Sequence, residues 1–122
     1  MTWLAVAVGG ALGSMGRHFV NLEIAHRLER SVPYATLTVN VIGCFVIGAL
    51  SGAIAGGRVT VTPTLRTFLF VGVLGGFTTF SSFGLDTFTL SHGGNQAAAI
   101  SNVLAHVTLG LGCVWAGYLI AV

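Results

Sequence analysis

The chain has 122 residues, 54% hydrophobic and 7% charged, with a formal net charge of +2. Soluble domains carry about 25% charged residues, so this composition, with a mean hydropathy of +0.91, excludes a water-soluble fold. A helical span needs about 20 mainly apolar residues. Four spans with short connections use up the whole chain, so residues 1–122 read as a single four-helix transmembrane domain of an all-α, multi-pass membrane protein.

The first span is expected from about Trp3 to Val20. Met-Thr-Trp-Leu lacks the basic start of a signal peptide, so the span is read as mature structure. Gly9, Gly13 and Arg17 recur every four residues and share one helix face. Arg17 either snorkels to the headgroups or acts as a fixed cation at a pore mouth, concentrating anions there. The first two spans hold no carboxylate to serve a cation carrier, so the electrostatic lean is towards anions.

The second span is expected from about Tyr34 to Ala55, with Asn40 at its middle and Thr36 one turn earlier. An amide inside a span bonds a neighbouring helix or lines a polar path, where its N–H groups suit a small anion. Gly48 with Gly52, and later Gly72 with Gly76, have the spacing that lets helix backbones approach closely in lipid. Cys44 and Cys113 read as small buried hydrophobes.

The third span, about Leu65 to Leu90, is interrupted by Gly72-Val-Leu-Gly-Gly-Phe-Thr-Thr-Phe-Ser-Ser-Phe-Gly84. Paired glycines and four hydroxyl side chains make a poor lipid-facing helix. Irregular backbone at membrane depth survives only where it is buried in protein or lines a wet cavity, and broken helices offer carbonyls and helix ends to ions. Phe77, Phe80 and Phe83 recur every three residues beside Thr78, Ser81 and Ser82. Such a stripe is ordinarily packing. Next to hydroxyl donors, however, the positive edges of phenyl rings can hold an anion loosely, as conduction requires. Asp86, just past the break, either meets cations or ends the buried part of the helix.

The fourth span is expected from about Ala97 to Val122 and carries Asn102 and His106, four residues apart. An ionisable group inside a membrane is a functional candidate by default; His106 reads as a proton relay or a hydrogen-bonded packing residue.

All five basic residues are Arg. Arg58 and Arg66 fall on one side of the membrane, and Arg27 and Arg30 in a loop on the other. Orientation follows the Lys and Arg excess of short cytoplasmic loops, and here there is hardly any excess. A balanced chain can insert both ways, and two opposed copies can pair. No CxxC, zinc spacing, phosphate loop or Lys-rich patch occurs, so soft-metal chemistry and nucleic-acid binding find no support.

At these residues the sequence resembles the Fluc (CrcB) family of fluoride channels. Gly9-Gly10, Gly13 and Arg17 are similar to the family's GGxxGxxxR, and Thr36-Leu37-x-Val39-Asn40-x-x-Gly43 to its TLxVNxxG. Gly75-Gly76-Phe77-Thr78-Thr79-Phe80-Ser81-Ser82-Phe83 resembles GGxTTFSTF, with Ser82 in place of Thr. The resemblance implies a dual-topology, antiparallel homodimer (or a pair with a related paralogue) in the cell (inner) membrane. It also implies two pores that export fluoride passively from the cytoplasm. A structural sodium ion at the dimer centre is implied on backbone carbonyls at Gly75 and Thr78. The implied anion pathway takes Asn40, Phe80 and Phe83, with Thr79, Ser81, Ser82 and Arg17, and Asn102 and His106 on the fourth helix. There Asn102 stands where many members carry Tyr, and His106 where some carry Ser.

Three rival functions compete with this reading. A small multidrug-type transporter would need a carboxylate in the first span, which is absent. A non-conducting assembly subunit leaves the hydroxyl and phenylalanine register unexplained. An intramembrane protease built on Ser81 or Ser82 with His106 lacks a visible activating base and oxyanion site, so no enzyme is expected.

Overall fold

A computed structural model describes residues 1–28 and 33–122, and the described residues are helical throughout with short links. The elements are α1 (Thr2–Arg27), α2 (Tyr34–Ala55), α3 (Pro63–Arg66), a π-helical segment (Thr67–Leu74), α4 (Gly75–Phe77), α5 (Phe80–His92) and α6 (Gln96–Ala121). Elements α3 to α4 run on as one rod, which breaks at Thr78 and Thr79 and resumes as α5. Three stretches are long and apolar enough to cross a membrane: Tyr34–Ala55, Pro63–His92 and Gln96–Ala121. The protein is a multi-pass membrane protein.

Local chemistry sets the helix starts. Thr62 caps α3, its side chain accepting from the Leu65 N–H at 3.2 Å, and Pro63 occupies the first turn, where a missing N–H costs nothing. Asn95 caps α6 by accepting from the Ala98 N–H at 3.1 Å. The links after α2 and α5 turn through Gly57 (φ 69°) and Gly94 (φ 85°), left-handed conformations that favour glycine.

Two backbone-to-backbone seams hold the helices together. Helix α2 lies along α6 and α1 lies along the π segment. A Cβ at Gly48 or Gly52 would strike the carbonyls of Val114 or Tyr118, and one at Gly117 would strike that of Phe45. On the other seam a Cβ at Gly9 would lie 2.7 Å from the Phe68 oxygen, and one at Gly76 would lie 2.6 Å from that of Gly10. The small-residue spacings therefore mark packing seams, as the sequence suggests.

The structure corrects several expected boundaries. Helix α1 continues seven residues beyond Val20, so Arg27 is in its last turn, 3.2 Å from the Glu23 carboxylate, and not in a loop. Amphipathic residues after Val20 end the apolar run without ending the helix. Arg30, assigned to that loop, lies outside the described residues. The break is narrower than the whole glycine and hydroxyl stretch: Gly75 and Gly76 are helical, and only Thr78 and Thr79 are extended. The π turns before it left no mark in composition.

Candidate functional site: the break and its cavity

Backbone polar groups buried from water need partners, and at the break the N–H and carbonyl of Thr78 and Thr79 each have one. The Thr78 N–H donates to the Leu74 carbonyl at 3.0 Å, and the Thr78 hydroxyl donates to the same oxygen at 2.9 Å. The Thr78 carbonyl accepts from the Arg17 guanidinium at 3.3 Å. Asn40 clasps the next residue on both sides: its Oδ1 accepts from the Thr79 N–H at 2.8 Å, and its Nδ2 donates to the Thr79 carbonyl at 3.0 Å. Two side chains, from α1 and α2, thus replace the helical bonds that Thr78 and Thr79 forgo.

The break leaves groups of both signs available. Thr79 caps α5, its hydroxyl accepting from the Ser82 N–H at 3.1 Å. The open N–H groups of that first turn, with the positive end of the helix dipole, suit an anion. On the other side, the N–H that would normally close on the Gly75 carbonyl is that of Thr79, which is turned to Asn40. The Gly75 oxygen is left without its helical donor. Together with the Thr78 oxygen, it is a hard, neutral donor of the kind a hard cation takes.

A cavity of about 400 Å³ adjoins these groups, bordered by Asn40, Gly75, Thr78, Thr79, Phe80, Phe83 and His106 among others. The Phe80 and Phe83 rings are tilted at 57° with centroids 5.4 Å apart, and the Phe83 and His106 rings are 4.4 Å apart. Phe80 is 83% exposed in the single chain, so its outer face is open to a further surface.

Not every expected pathway residue borders this cavity. Ser81 and Ser82 hydroxyls are bonded to the Thr79 hydroxyl at 3.2 and 3.1 Å. Neither is bonded to His106, which pairs with the Asn102 carbonyl, so the structure does not bring Ser81 or Ser82 together with His106. Asn102 is buried and donates to the Thr87 hydroxyl at 2.9 Å, tying α6 to α5 beside a separate cavity near Tyr34 and Leu37. Arg17 stands at the break without lining the cavity.

The sequence of a family described as "CrcB-like protein, Camphor Resistance (CrcB)" matches residues 4–118, which span every element of the fold. The chain belongs to the CrcB family. A protein of Opitutus terrae named "Fluoride-specific ion channel FluC" is 45% identical over 98% of this chain and 92% of its own length. Proteins of the same name from Rhodospirillum centenum and Paracoccus denitrificans are each 48% identical, over 93% and 95% of this chain and 90% of their own lengths.

Within this CrcB chain, two contacts went unread in the sequence. Thr36 donates to the Asp86 carboxylate at 2.7 Å, tying α2 to α5 about two turns past the break. Cys44 borders the cavity. The first contact had a signal, since Thr36 and Asn40 share a helix face; the second had none, because a thiol reads as one more small hydrophobe.

Proposed function

We propose that this protein is a fluoride channel that passively exports fluoride from the cytoplasm across the cell membrane. The observation that carries the reading is the break. It sets the N-terminus of α5, the Asn40 amide and the Phe80 and Phe83 rings around one cavity, inside an apolar chain. Donors and ring edges without a fixed cation among the cavity's lining residues suit an ion that must enter and leave. The names of the relatives supply fluoride as the ion.

The working unit in this proposal is an antiparallel dimer with two pores, of two copies of this chain or of this chain with a paralogue, each crossing the membrane four times. Supporting it are the even division in sequence of the arginines that flank the spans and the outward face of Phe80. Helix α1 has the length to be the fourth span and exposes Leu4, Leu12, Met15 and Phe19. A sodium ion at the dimer centre would sit on the Gly75 and Thr78 carbonyls. Their donor type fits, and a second copy would double the oxygens. A carbonyl has two lone pairs, so Thr78 can serve the ion while it accepts from Arg17.

Purified protein in liposomes tests the reading. Fluoride efflux should be fast and chloride efflux negligible. Equal rates for the two halides, or strict dependence on a proton gradient, would overturn it. Cysteine labels near Arg27 and Arg58 should each react from both sides of the membrane; one-sided labelling at both positions would reject the self-paired dimer.

A further inference from the structure

His106 is the one ionisable side chain on α6 that borders the cavity, and its hydrogen bonding fixes what it can do. Its Nδ1 lies 3.0 Å from the Asn102 carbonyl, which can only accept. Nδ1 therefore carries the proton in the neutral ring, and Nε2 is left with a lone pair. That nitrogen is buried and has no hydrogen-bond partner. The Phe83 ring lies against the imidazole, 4.4 Å between centroids at 41°.

Neutral His106 thus leaves an acceptor without a donor on a residue that borders the cavity, where an anion needs donors. Protonation reverses this, making Nε2 a donor and the ring a cation. A buried cation is costly unless it is paired. Few charged groups are placed to pair with it. On α2, Cys44 borders the same cavity. On α5, Asp86 accepts from Thr36. On α6 itself, Cys113 lies two turns further on, and from α1 Arg17 is held on the Thr78 carbonyl.

We propose, on the basis of the fluoride reading above, that His106 is a proton-dependent anion ligand: the cavity takes up a proton at Nε2 together with the anion. The two bindings then favour each other, as linkage requires. The proton lowers the barrier for the anion, and the anion supplies the missing counter-charge. No proton gradient is needed, because the site responds to the pH on the membrane surfaces and not to a difference across it. The sign follows directly: flux is highest where the imidazole is charged and falls as pH rises.

The test measures fluoride efflux at equal pH inside and outside, corrected for protein-free vesicles at each pH. Flux should fall at least about fivefold from the most acidic to the most alkaline pH assayed, following the charge on histidine. His106→Gln, which has no titrating group, should flatten the profile. A wild-type profile flat over that range, or an unchanged profile in His106→Gln, would overturn the proposal. Imidazole NMR of the wild-type protein gives a second readout that does not require the variant to fold. At fixed pH, added sodium fluoride should shift His106 towards its protonated spectrum, and sodium chloride should not. Absence of that shift also overturns the proposal. A wild-type protein that shows the NMR shift but no efflux at any pH would keep the coupled site and reject the channel.

Discussion

The glycine seams and the break solve opposite problems in lipid. Along α2 and α6, and along α1 and the π segment, backbones are already satisfied within their helices, and close approach needs only the absence of side chains. At Thr78 and Thr79 the backbone leaves the helix, and stability comes from side chains that replace lost bonds. The seams are held by dispersion over many atoms; the break is held by a few directed hydrogen bonds. One region is therefore sensitive to added volume and the other to a removed functional group.

The sharpest way to break this contrast is volume at a seam. Gly48→Leu should give no monodisperse protein on size exclusion in detergent, because its side chain would have to occupy the position of the Val114 backbone. Recovery of normally assembled Gly48→Leu would show that the seam can open. Removing a group at the break is the next largest effect. Asn40→Ala leaves the Thr79 N–H and carbonyl without partners, at about 1–3 kcal/mol each, so its thermal midpoint should fall clearly. An unchanged midpoint would mean that something other than Asn40 holds the extended backbone.

Gly75 separates the single chain from the assembly. A Cβ there meets only the Phe70 oxygen at 3.8 Å, an ordinary contact. Gly75→Val should leave each chain helical by circular dichroism while dimer yield drops and sodium no longer stabilises what remains. Normal dimer with normal sodium response would remove Gly75 from the proposed ion site. Phe80→Ile is milder: it removes an exposed ring edge, so flux should fall with little change in midpoint. If Phe80→Ile and Phe83→Ile both kept full flux, the phenylalanines would be packing alone. Smallest of all, Glu23→Gln removes an exposed i,i+4 pair at 3.2 Å and should shift stability by no more than about 0.5 kcal/mol.

The same contrast explains what was legible beforehand. Seams are written in spacing, so Gly9 with Gly13 and Gly48 with Gly52 declared themselves without any knowledge of their partners. The existence of the break was legible too, because paired glycines and hydroxyls are out of place in lipid. Its position was not. Which residues leave the helix depends on where Asn40 and Arg17 arrive from α2 and α1, a tertiary fact no local propensity encodes. For the same reason Asn102 could be read as a polar-path residue while its tie from α6 to Thr87 could not be read. An amide in a span announces only that it needs a partner.

The central claim is that the break lines a passive path selective for fluoride, and current through a planar bilayer tests it most directly. With a tenfold gradient of sodium fluoride, the current should reverse near the fluoride equilibrium potential, about 59 mV for one monovalent charge. Replacing fluoride by chloride on both sides should abolish it. Reversal at the sodium potential, or equal currents carried by chloride, would contradict the account.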